Sequence, residues 1–113
     1  MQHRAEKRRF ERVPVELPVE FTARRCPFEG ASGLGRDIAL GGMFIETTEP
    51  VAFGAPVLVS FHVAECQDVM LVPGIVRWTG RTGMGVQFGL YGARETRAIM
   101  GLMRSRSGVH LVG

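Results

Sequence analysis

At 113 residues the chain holds enough material for one hydrophobic core and not for two, and 45% hydrophobic with 22% charged residues is ordinary globular usage that excludes a disordered or fibrous chain. No apolar run approaches the ~20 residues of a membrane span, and the charged amino-terminal stretch excludes a secretory signal, so the sequence reads as cytoplasmic with no membrane insertion. The formal net charge of +3 lies entirely in residues 1–12, where Arg4, Lys7, Arg8, Arg9 and Arg12 outweigh Glu6 and Glu11, which favours an anionic partner without separating nucleic acid, an acidic protein and a phosphorylated small ligand.

From Val13 to Phe21 every odd residue is apolar, the period of a half-buried strand. Pro14 and Pro18 fall on the opposite face and cannot donate ladder hydrogen bonds, so part of this strand is expected at an edge or a bulge. Residues 26–33 read as a loop, and a short second strand is expected from Leu34 to Ile38. Leu40-Gly41-Gly42 then predicts a tight reversal into Met43-Phe44-Ile45, making these two strands neighbours. After a turn spanning Pro50 to Pro56, Val57, Val59, Phe61 and Val63 line one face of a further strand. Gln67-Asp68 marks the next reversal. Val69 to Trp78 is a long strand candidate broken by Pro73-Gly74, and Gly80-Arg81-Thr82-Gly83 predicts a hairpin into Met84 to Phe88.

The period changes near the end. Ile99, Leu102 and Met103 stand at helical spacing opposite Arg94, Arg97 and Arg104, predicting an amphipathic helix over Ala93 to Arg106. Six short strands followed by one helix favour an all-β fold, a six-stranded antiparallel β-barrel with a C-terminal α-helix covering an open end or side. The expected organisation is a flexible basic leader over 1–12, the barrel and helix over 13–106, and a tail over 107–113. Cys26 and Cys66 lack CxxC spacing and a histidine pair, so they read as reduced thiols, with no metal site.

Two motifs carry the functional signal. Arg8-Arg9-Phe10-Glu11-Arg12 is an RxxxR segment directly before Val13-Pro14-Val15. Asp37-Ile38-Ala39-Leu40-Gly41-Gly42 follows the pattern DxSxxG except at Ala39. With Val76-Arg77-Trp78 leading into Gly83 to Phe88, these segments resemble the PilZ family from about Lys7 to Arg104. The resemblance implies a bacterial receptor for the second messenger cyclic di-GMP, with Arg8 and Arg12 as ligand-binding residues on a leader that closes over the nucleotide. Arg9 is a further candidate cation. Arginine suits such a ligand because its planar fork binds phosphate oxygens or the guanine O6/N7 edge, and its flat face stacks on a base.

The same resemblance makes Asp37 the acceptor for guanine N1–H and N2–H. Gly42 is expected to let the backbone pass the ligand closely through a dihedral other residues resist. Trp78 reads as a barrel-wall aromatic that also comes near the guanine in some family members. Ala39 lacks the hydroxyl usual at its position, a loss of about 0.5–1.5 kcal/mol against about 1.5–3 kcal/mol for each charged arginine bond.

The reading that results is a cyclic di-GMP receptor or adaptor that changes shape on binding and signals to a protein partner not identified by the sequence. Its rival is a degenerate PilZ module, marked by Ala39, that binds no nucleotide and acts only through protein contacts. A nucleic-acid-binding barrel fits the basic arm but lacks interleaved stacking aromatics. The sequence does not read as an enzyme, because no nucleophile, base and orienting group assemble from the residues present. Nor does it call for a cofactor.

Overall fold

The computed structural model describes residues 11–23, 30–63 and 69–106. Six strands, β1 (Val13–Ala23), β2 (Ala31–Ala39), β3 (Gly42–Glu46), β4 (Pro56–His62), β5 (Val69–Thr79) and β6 (Gly83–Phe88), precede one helix, α1 (Ala93–Arg106). They close into an antiparallel barrel in the order β1-β2-β3-β6-β5-β4, with β1 and β4 sealing the circle. The fold expected from the sequence is the one observed. Among the described residues no helix is long and apolar enough to cross a membrane.

Alternation produces the core. Val13, Val15, Leu17, Val19 and Phe21 of β1 all point inward, and the residues between Val13 and Phe21 that face the other way are exposed. The same logic buries Val57, Val59 and Phe61 from β4, Met70, Val72 and Val76 from β5, and Met84, Val86 and Phe88 from β6. The helix contributes Ala98, Ile99 and Leu102 to this single cluster, while Arg94, Arg97 and Arg104 face outward. Burying each large aliphatic side chain stabilises the fold by about 1.5–3 kcal/mol before conformational entropy is subtracted.

Both prolines of β1 lie where a ladder donor is dispensable. Pairing with β4 begins only at Val19, so Val13 to Pro18 has β2 as its sole strand neighbour, and the β1–β2 register shifts between Pro14 and Leu17. The edge and bulge expected there are both present.

Three readings change. β2 begins at Ala31, not Leu34, because β1 continues past Phe21 and pairs Phe21, Glu20 and Val19 with Ala31, Ser32 and Gly33. β5 runs unbroken through Pro73-Gly74. Pro73 accepts a hydrogen bond from Gly89 N–H at 2.8 Å. Since the N and O of a strand residue face the same side, the missing donor would have faced Gly89, one residue past the end of β6, and no bond with β4 is lost. Third, Gly42 has no left-handed φ; among the described residues only Gly54, at 84°, has a positive one. The expected reversal at Gln67-Asp68, the leader residues up to Phe10, both cysteines and the expected tail lie outside the described residues.

Candidate functional site

The barrel carries three irregularities, one of which, on β5, lines a cleft with Arg77 and Trp78. On β2 the register shifts between Gly35 and Asp37, leaving Arg36 as an extra residue. On β5 it shifts between Val76, paired with Val86, and Trp78, paired with Gly85, leaving Arg77 extra. The third is the shift in β1 between Pro14 and Leu17. Bulges re-aim side chains that a regular pleat would alternate, and those on β2 and β5 fall next to Asp37 and Trp78.

Asp37 emerges half-buried beside the β2 bulge. Its Oδ1 accepts from Arg12 Nη1 at 2.6 Å and from the backbone N–H of Phe44 at 3.3 Å. The arginine at the start of β1 and the carboxylate of β2, 25 residues apart, thus form an ion pair with both side chains partly open to water. Such a pair is worth only about 0–1 kcal/mol net, so a ligand with better partners for either group can displace it.

Trp78 is half exposed. Its ring centroid lies 5.7 Å from that of Phe44 with the planes at 49°, a tilted contact of the kind aromatic quadrupoles favour. The indole folds back over Gly80, where a Cβ would come within 2.7 Å of Trp78 Cη2. A side chain at position 80 would therefore move the indole. Phe44 on one flank and the bare glycine on the other hold the ring in place while a large part of its surface stays in water.

The cleft between these groups has a volume of about 460 Å³ and is lined by Arg12, Ala39, Gly42, Arg77, Trp78 and Gln87, among others. Clefts of about 470 Å³ beside Pro18, Ser60 and His62 and of about 620 Å³ beside Leu34, Glu46 and Arg81 are of comparable size. Size therefore does not select the site. The donor set does, because only the first brings guanidinium groups, an acidic acceptor at its edge and an exposed indole into one place.

Of the residues singled out by sequence, Arg12, Ala39, Gly42 and Trp78 line the cleft, and Asp37 joins it through Arg12. Arg8 and Arg9 lie outside the described residues. Ala39 is buried in the wall and pairs with Gly42 across the two-residue Leu40-Gly41 turn. The close approach at Gly42 is made by the barrel itself: a Cβ there would run into the carbonyl oxygen of Val86 on β6. The sequence reading assigned that space to a ligand because the β3–β6 pairing is not visible from the turn alone.

Arg77, Gln87, Phe44 and Tyr91 were not singled out. Arg77 Nε donates to Gln87 Oε1 at 2.9 Å, and Tyr91 Oη donates to the Leu40 carbonyl at 2.6 Å, fastening the turn that follows Ala39. Burial pushes the Tyr91 phenol above its ordinary value of 10.0, keeping it the donor of that bond. One signal for Arg77 was present in the chain: two large residues that both suit the outer wall stand side by side in Val76-Arg77-Trp78, which strict alternation does not allow.

A family model described as PilZ domain matches residues 6–103. A search of curated proteins gives no match. Among solved structures the chain is similar to the crystal structure of the PilZ domain of CeSA from a cellulose-synthesizing bacterium, with 16% identity, a TM-score of 0.67 and coverage of 88% of this chain and 98% of that one. It is also similar to the Bacillus subtilis inhibitor of motility MotI/DgrA, again at 16% identity and a TM-score of 0.67, over 85% of this chain and 48% of that one. The match thus spans about half of MotI/DgrA, and at this identity the likeness to either is one of fold.

Proposed function

This chain belongs to the PilZ family of cyclic di-GMP receptor domains, and from that premise we propose that it binds cyclic di-GMP itself and passes the signal to a protein partner. The observation that carries the reading is the meeting of Arg12 and Asp37 at 2.6 Å at the edge of a cleft that also holds Trp78. One residue from each family motif is thereby brought to one spot next to an exposed aromatic face.

The ligand is a dianion with two guanine bases. On entry it competes for both members of the Arg12–Asp37 pair: Arg12 exchanges a carboxylate for phosphate or the O6/N7 edge, and Asp37 takes the N1–H and N2–H donors. Trp78 supplies a flat apolar face. Arg8 and Arg9, in the segment over residues 1–12, are the further cations, and their engagement orders that leader against the barrel. The messenger then acts by favouring one arrangement of the leader over others, and the partner reads the altered surface. In this reading the domain is an adaptor with no catalytic step.

Calorimetric titration of the chain with cyclic di-GMP tests the proposal. Saturable binding is expected, with Arg8→Ala and Arg12→Ala each weakening it by at least about tenfold, since a charged hydrogen bond is worth about 1.5–3 kcal/mol. No heat of binding at high ligand concentration would end it.

One observation favours the rival, a PilZ module that binds protein only: Ala39 presents a methyl group to the cleft wall. On that reading a partner is recovered equally with and without nucleotide, and Arg8→Ala has no effect on its recovery. The receptor reading is preferred because one neutral hydrogen bond, about 0.5–1.5 kcal/mol, is small beside the charged contacts that remain.

A further inference from the structure

We propose that Arg77 is a phosphate-binding residue of the cleft, one that neither family motif contains. The inference rests on the receptor reading above and extends its site to the β5–β6 wall.

Position is the first argument. In a regular strand Arg77 and Trp78 would face opposite sides of the sheet. The bulge at Arg77 turns both outward, so both are exposed and both line the cleft. A base lying on the indole then has a guanidinium next to it for its phosphate.

Charge is the second argument, and it separates the two arginines that line the cleft. Arg12 is matched by the Asp37 carboxylate at 2.6 Å. Arg77 is held through Nε by the neutral amide of Gln87 at 2.9 Å, and among the described residues it pairs with no carboxylate. Among the described residues, then, an incoming dianion meets no carboxylate at Arg77, whereas at Arg12 it must first displace Asp37.

Geometry is the third. The bond to Gln87 uses the Nε side of the guanidinium and leaves the Nη1–Nη2 edge, a fork suited to two phosphate oxygens, without a partner among the described residues. The same bond holds the side chain in one orientation before ligand arrives, so less rotamer freedom is lost on binding.

The test is calorimetric titration with cyclic di-GMP at two salt concentrations, using wild type, Arg77→Ala, Gln87→Glu and Arg97→Ala, with thermal midpoints to verify folding. Arg77→Ala is expected to weaken binding at least about tenfold and to make affinity less sensitive to salt. Gln87→Glu keeps Arg77 but sets a carboxylate against it, and is expected to weaken binding in the same direction with an unchanged midpoint. Arg97→Ala removes an exposed cation of α1 and is expected to leave affinity within about twofold, excluding a general effect of net charge. Wild-type binding with Arg77→Ala and Gln87→Glu both matching Arg97→Ala overturns this inference and leaves the receptor reading intact. A wild-type chain that binds no cyclic di-GMP overturns the receptor reading and this inference together.

Discussion

Ala39 precedes the Leu40-Gly41 turn, and Tyr91 fastens that turn from outside it. Ala39 is buried in the cleft wall, and two residues later in the same turn Gly41 O accepts from Phe88 N–H at 2.9 Å, so the backbone around it is held independently of any side chain at 39. Ala39→Ser is therefore expected to leave the turn unchanged and to tighten cyclic di-GMP binding roughly 2–12-fold, the worth of one neutral hydrogen bond, as read by titration. Tyr91 holds the neighbouring Leu40 carbonyl. Its raised pKa means that folding favours the protonated phenol, so its contribution is complete below pH ~10 and is lost as pH rises from there through the higher native value. Tyr91→Phe is expected to lower stability by about 1 kcal/mol at neutral pH. The decline above pH ~10 should also be shallower than in wild type, as urea unfolding across an alkaline series would show.

Strand pairing sets what each element can present. The β3–β6 ladder, from Gly42↔Gln87 to Glu46↔Gly83, brings Gly42 so close to β6 that a methyl group there would meet the Val86 carbonyl. Backbone yields far less than the end of a side chain does. Gly42→Ala is expected to cost about 1–3 kcal/mol, seen as a lower urea midpoint, and to weaken nucleotide binding because Gln87, partner of Gly42, is also the residue that holds Arg77. The bulge on β5 works on the same scale: it converts an alternating strand into one that places Arg77 and Trp78 on the same side.

Closure and the helix belong to the whole molecule. The six-stranded ring closes where Val19–Ala23 of β1 meets β4, leaving the start of β1 as an edge, and α1 completes the core by burying Ala98, Ile99 and Leu102. Ile99 is fully buried, so Ile99→Ala is expected to lower stability by about 2–5 kcal/mol through lost transfer energy and the cavity left behind, measured by thermal unfolding. The helix packs on β1, β2 and β5, the strands that carry Arg12's neighbour Val13, Asp37 and Trp78. Loosening it is therefore expected to reduce ligand affinity as well as stability.

The sequence by itself determined the alternating strands, the change of period at Ala93 and the order of the motifs. Each of these is a local property, written in neighbouring residues: inward positions such as Val13, Val15 and Leu17 must be apolar whatever lies across the barrel. Those features were enough for the fold class and the family. Only the tertiary structure decided which residues share the cleft, because register and bulges depend on pairings between distant segments. Arg77 and Gln87 meet through the β5–β6 ladder, Gly42 owes its missing side chain to Val86, and Pro73 is tolerated in β5 because the donor it lacks faces the end of β6. None of these follows from residues adjacent in the chain, since each is a contact whose other half lies on another strand.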